Sequence, residues 1–161
     1  MIRKATPEDA PGIARIWNPI IRDTAITFTS DEKTDADLEA MIAARHGAAT
    51  AFLIAETAGT VLGFATYGPF RAGPGYARSV EHTVLLAPGA RGRGLGRALM
   101  TALMDQARAQ GLHLMIGGIS GSNAAGLAFH EALGFTEAGR VREAGWKFGT
   151  YHDLVLMQKL L

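Results

Sequence analysis

The chain has 161 residues, 48% of them hydrophobic and 19% charged, with a formal net charge of +1. That length suits one domain burying roughly two-thirds of its unfolded surface; the composition excludes a disordered chain, and the near-neutral charge gives no field directing it to nucleic acid or an anionic membrane. Having no cysteine, it cannot form disulfides, thiolate metal sites or a covalent cysteine intermediate; charged residues interrupt the N-terminus and no apolar run spans a bilayer, so a cytoplasmic protein is expected.

In chain order, residues 2–5 read as a short strand. Thr6-Pro7-Glu8-Asp9 carries helix-start chemistry, with Thr6 as N-cap, Pro7 in the first helical position and acids in the first turn. Ile13, Ile16, Trp17, Ile20 and Ile21 form an apolar stripe at helical spacing, which Pro19 is expected to kink or divide. Residues 24–30, TAITFTS, read as an extended loop or short strand. A second capped helix begins near Thr34 or Asp35 and runs through Leu38, Met41 and Ile42 to about His46 and Gly47. Residues 52–55 and 61–67 predict two strands joined by a turn at Gly59, and residues 68–75, rich in glycine and proline, an irregular loop. Residues 80–86 and 112–116 predict buried strands, the second ended by Gly117-Gly118. The polar run 120–123 caps a helix carrying Leu127, Phe129, Ala132 and Leu133, which Gly134 stops. Residues 135–141 and 151–159 are the last strands, with Trp146 and Phe148 in the loop between them. A helix-rich start, central antiparallel strands and one βαβ crossover give an α/β (α+β layered) fold, one domain over residues 1–161.

The chain is organised around residues 83–109, TVLLAPGARGRGLGRALMTALMDQARA. An apolar strand ending at Leu86 is broken by Pro88-Gly89. Gly92, Gly94 and Gly96 then alternate with Arg91, Arg93, Leu95 and Arg97. Leu95, Leu99, Ala102 and Leu103 begin a helical stripe, and Gly111 sits at the C-cap. The first turn of a helix has N–H groups without partners and a partial positive charge, glycine allows close backbone approach, and arginine adds donors matched to phosphate. A diphosphate is the fitting ligand. The order is neither that of a P-loop, lacking Lys followed by Ser or Thr, nor G-x-G-x-x-G, since Arg97 stands three residues after Gly94.

Glu81 and His82 are neighbours in a strand and should point to opposite faces. Glu81 can take a proton from an ammonium group or form a buried ion pair with Arg78; His82 reads as a packed histidine. Asn123 and His130 are seven residues apart, on one helical face, and a histidine there can act as acid toward a thiolate or as base toward an amine.

Arg91, Gly94 and Gly96 match R-x-x-G-x-G, and with it the chain resembles the GCN5-related N-acetyltransferase (GNAT) superfamily, in which that loop holds the pyrophosphate of acetyl-CoA. Segments TAITF, ATYGPFRA, VEHTV, RGRGLG, SNAAGLAFHEALGF and AGWKFGTYHDLVLMQ extend the likeness over nearly the full chain. They resemble the phosphinothricin and methionine sulfone/sulfoximine N-acetyltransferase branch. The resemblance implies a GNAT fold with a mostly antiparallel sheet of about seven strands and helices on both faces. It implies proton transfer by Glu81 and His130, where the wider family carries a tyrosine, and a pantetheine contact at Asn123. Acetyl-CoA as co-substrate would be bound by Val84, Leu85 and Leu86, whose strand offers backbone N–H groups to the thioester carbonyl, and by residues 91–97. The acceptor would meet Arg71 or Arg78 through its carboxylate and Phe28 and Tyr67 through its side chain, although Gly73 stands where phosphinothricin-detoxifying members carry arginine. Direct transfer in a ternary complex is implied, with no metal, as is a homodimer contact at Trp146, Lys147 and Phe148. The expected activity is N-acetylation of a small amino acid or analogue; the alternatives are a GNAT acting on a protein N-terminus, polyamine or antibiotic, and a non-catalytic CoA-binding module.

Overall fold

The computed structural model describes residues 1–47 and 50–161. Seven strands form one sheet: β1 (Ile2–Lys4), β2 (Ala51–Thr57), β3 (Thr60–Pro69), β4 (Ser79–Leu86), β5 (Leu114–Ser120), β6 (Thr136–Lys147) and β7 (Thr150–Leu160). Their order is β1-β2-β3-β4-β5-β7-β6, and every neighbouring pair is antiparallel except β4–β5. The parallel pair needs a crossover, supplied by α3 (Leu95–Ala109). This is the layered mixed α/β architecture expected from the sequence.

Strand alternation divides the apolar residues between two cores. On one face Phe52, Ile54 and Phe64 pack with Ile13, Ile16, Trp17 and Ile20 of α1 (Ala10–Asp23) and Leu38 and Ile42 of α2 (Asp35–Gly47). On the other, Leu53, Ala65, Tyr67, Val80 and Met115 meet Leu99, Met100 and Leu103 of α3. Leu127 and Phe129 of α4 (Ala124–Ala132) extend this second core.

Several boundaries depart from expectation for identifiable reasons. Pro19 does not divide α1, because apolar residues on both sides of it, Ile16 and Trp17 before and Ile20 and Ile21 after, are buried together. Thr6 opens a 3₁₀ turn (Pro7–Asp9), with its own N–H held by the Asp9 carboxylate at 2.7 Å, and α1 follows. Of the two readings for residues 24–30, an extended loop or a short strand, the structure has the loop, with bends at 25–27. Gly117-Gly118 do not end β5, which runs through them to Ser120. Trp146 belongs to β6 and not to a loop, since shifts in pairing between Val141 and Gly145, with Glu143 at φ 55°, let the strand resume after a bulge.

The sheet is split at its centre. β4 and β5 pair only through Ser79, Val80 and Glu81 against Leu114, Met115 and Ile116. Beyond that point β4 stays with β3 and β5 with β7. The diverging edges leave a gap opposite the start of α3.

Candidate active site

The gap is a cleft of about 270 Å³ lined on one side by His82, Thr83, Val84 and Leu85 and on the other by Gly117, Gly118, Ile119 and Ser120. Ile26, Thr27, Phe28, Asn123, His130 and Leu154 complete it. The Ser79 carbonyl accepts from Phe70 and the Ala87 N–H donates to the Leu62 carbonyl. Odd-numbered residues of β4 therefore turn their backbone groups to β3, and the N–H groups of Val84 and Leu86 face the opening. They are donors without a strand partner, placed as an oxyanion site requires.

The turn after β4 is built for close approach. Gly92 and Gly94 have φ of 71° and 78°, and a Cβ on either would meet nothing within 4 Å. Ala98 makes the first α3 bond, to the Gly94 carbonyl at 3.0 Å, leaving the N–H groups of Leu95, Gly96 and Arg97 free within the helix. Arg91 and Arg93 are exposed beside them. Arg97 instead points to α4, donating to the Ala132 carbonyl at 3.3 Å. Gly96 has a packing role: a Cβ there would lie 3.1 Å from the Phe129 ring, so glycine lets α3 and α4 close together.

Gly117 and Gly118 receive the chemical side chains from opposite faces. A Cβ on Gly117 would lie 2.8 Å from His82 Nε2 and 3.3 Å from His130 Nε2. A Cβ on Gly118 would lie 3.1 Å from Glu81 Oε1 and 3.3 Å from Leu154. The cleft thus has an imidazole side and a carboxylate side. Glu81 stands at its edge; the residue is exposed, yet the adjoining walls desolvate the carboxyl and raise its pKa above 4.5. His82 and His130 are buried, with ring centroids 5.0 Å apart and Phe135 edge-on to both. Burial, then the neighbouring His130, pushes His82 from 6.5 down to about 3; burial also lowers His130, partly opposed by its bond to Gly126. Both rings are neutral near pH 7.

Asn123 caps α4, its Oδ1 accepting from Gly126 N–H at 3.0 Å, and this fixes the helix that carries His130 two turns later. Phe28 lines the cleft, stacked on His152 at 5.6 Å. Tyr67 is not brought to the site: it lies on the α3 face, 1% exposed, with its hydroxyl donating to Gln110 at 2.7 Å and burial raising its pKa to about 12. Arg71 and Arg78 are exposed on the β3–β4 connection and do not line the cleft; Arg71 lies over the Tyr76 ring. Glu81 forms no ion pair with Arg78.

For two residues that the sequence singles out, the structure supplies partners that the sequence does not show. Lys147 is 3% exposed and donates from Nζ to the Thr27 carbonyl at 2.8 Å, tying β6 to the loop that walls the cleft. A lysine between two aromatics carries no local sign of this. His82 was legible as the neighbour of Glu81, but its partner His130 lies on a helix 48 residues away.

A family model described as an acetyltransferase (GNAT) domain matches residues 2–156. The chain is 40% identical to an L-methionine sulfoximine/L-methionine sulfone acetyltransferase of Pseudomonas paraeruginosa, over 98% of this chain and 92% of that protein. It is 36% identical to a phosphinothricin N-acetyltransferase of Streptomyces coelicolor, over 99% and 95%. A GNAT superfamily phosphinothricin acetyltransferase from Sinorhizobium meliloti, solved with acetyl-CoA, superposes with a TM-score of 0.94 at 30% identity, covering 100% of this chain and 88% of that one. With its split sheet, glycine turn and near full-length similarity, the chain belongs to the GNAT family of N-acetyltransferases.

Proposed function

We propose that this protein transfers the acetyl group of acetyl-CoA directly to the amino group of a small amino acid or analogue of the methionine sulfone and sulfoximine type. The observation that carries the reading is the two-faced cleft at Gly117-Gly118, with free Val84 and Leu86 N–H groups along its edge. The open turn at residues 91–96 suits a diphosphate, and the N–H groups of β4 suit the thioester carbonyl and the oxyanion derived from it. Asn123 lies beside the path between them.

Glu81 takes the first proton, from the acceptor ammonium, since only the free amine has a lone pair for attack. Attack forms the C–N bond and leaves one excess proton on nitrogen; collapse breaks C–S and requires a proton on sulfur. His130, neutral at rest, accepts the first of these and delivers it to the second, so no net charge accumulates. The acceptor side, walled by Ile26, Phe28 and Leu154, suits a short apolar or thioether-like side chain. Arg71 and Arg78 are the exposed cations on the connection leading into Glu81, available to an acceptor carboxylate.

The test is thiol release from acetyl-CoA with methionine sulfone, methionine sulfoximine, phosphinothricin, polyamines and peptides in parallel. Release is expected with the first two, and less with phosphinothricin given Gly73. Release confined to polyamines or peptides overturns the acceptor class. Binding of CoA with no release across the panel overturns catalysis. We also read the exposed aromatic residues of the β6–β7 hairpin as a homodimer contact.

A further inference from the structure

The reading above gives His82 no task, although it is buried as fully as His130. Three geometric facts and the chemistry of a neutral imidazole assign the protons of the pair. His130 Nδ1 lies 2.6 Å from the Gly126 carbonyl, which can only accept, so this nitrogen carries a hydrogen. A neutral imidazole has one N–H, which leaves His130 Nε2 bare. His82 Nε2 is 3.1 Å from it and must be the donor. His82 Nδ1 is then bare, and it is the buried ring nitrogen that has no partner. The opposite tautomer of His82 would bury an unpaired N–H and set two lone pairs against each other, a costlier arrangement than one idle acceptor.

We propose that His82 is a positioning residue for His130: by donating its Nε2–H it fixes the His130 tautomer and holds the bare Nε2 at the space that Gly117 leaves open. This rests on the acetyl transfer proposed above, in which His130 Nε2 must be free of hydrogen to take the proton from nitrogen. The His82 bond keeps that lone pair occupied in the resting enzyme and yields it when the N–H of the reacting amine arrives. The proton is then passed to sulfur from the same Nε2, after which the His82 bond re-forms and the pair returns to its starting charge. Phe135 packs edge-on against both rings, 5.5 Å from His82 and 5.3 Å from His130 between centroids, and so supports their mutual orientation.

The test is imidazole nitrogen NMR on uniformly labelled protein without substrates, where protonated and bare ring nitrogens resonate apart. Hydrogen is expected on His130 Nδ1 and His82 Nε2 only. Hydrogen on His82 Nδ1, or on His130 Nε2, overturns the proposal. His82→Leu should lower kcat by about tenfold or more while the KM for acetyl-CoA stays within about twofold, and His82→Gln, which restores an N–H near the same point, should regain most of the loss. A folded Leu variant with wild-type kcat also overturns it; if that variant does not fold, the tautomer assignment of the parent protein decides alone. Because the spectra need no acceptor, a failed acceptor panel removes the transfer step while the tautomer assignment stands, and a wrong tautomer sinks the role of His82 while acetyl transfer survives.

Discussion

Adjacent glycines give Glu81 and His130 separate compartments only one strand apart, and in each the same physical effect acts with opposite sign. Desolvation disfavours charge, raising the carboxyl and lowering the imidazole. A raised carboxyl is a stronger proton acceptor once ionised, which suits withdrawal of a proton from an ammonium group. In the proposed transfer the working form of Glu81 is the carboxylate, so acceptor kcat/KM should increase as pH rises through its pKa, with that limb lying above the ordinary 4.5. Glu81→Gln should abolish the limb and reduce kcat by about 10²- to 10⁴-fold, with the KM for acetyl-CoA nearly unchanged. A variant whose pH–rate profile superposes on the parent would remove Glu81 from proton transfer.

At the scale of elements, β4, the glycine turn and α3 act as one device, and Gly94 is its most constrained point. With φ of 78° it adopts a left-handed conformation that costs a side-chain-bearing residue about 1–2 kcal/mol. No atom stands within 4 Å of a Cβ there, so Gly94→Val strains the backbone without a clash in the free protein. The variant should lose about that much stability by denaturant titration, and calorimetry should show acetyl-CoA affinity weakened by about tenfold or more, beyond what strain explains, because the new side chain occupies the anion's place. Equal affinity would mean the diphosphate sits elsewhere. This device was legible in the sequence because its signals are local: an apolar run, glycines at alternate positions, and a stripe at helical spacing. The cleft was not legible, because it arises where β4 and β5 part company, a matter of pairing between distant segments. Locally, Gly117-Gly118 resembles the end of a strand; only in three dimensions does it become the seat of side chains from β4 and α4. Tyr67 lies away from the cleft for a related reason. It shares a sheet face with His82, its partner across β3 and β4, but stands one strand farther from the opening between β4 and β5, and strand order is set by pairing between distant segments.

At the scale of the whole molecule, the unresolved demand is the edge of the sheet. β6 is the last strand in the order, and Trp146, Phe148, Tyr151 and Val141 on its hairpin are 58%, 62%, 60% and 46% exposed. An edge strand bearing large apolar groups invites pairing or aggregation unless something covers it. The opposite edge, β1, is only three residues long and offers little template. A second copy of the chain, placing its own hairpin against this one, would bury the aromatics symmetrically, which is how most soluble oligomers close. The same hairpin carries Lys147, bonded to Thr27, and His152, stacked on Phe28, so a contact there would also stiffen the acceptor wall. Sedimentation equilibrium should therefore give a mass near twice 17.0 kDa for the parent chain. Trp146→Glu, which places a charge in the middle of the apolar patch, should shift it to the monomer and raise the KM of the acceptor more than that of acetyl-CoA. A parent protein that sediments as a monomer at all concentrations removes the dimer, and a monomeric variant with unaltered acceptor KM separates assembly from the site.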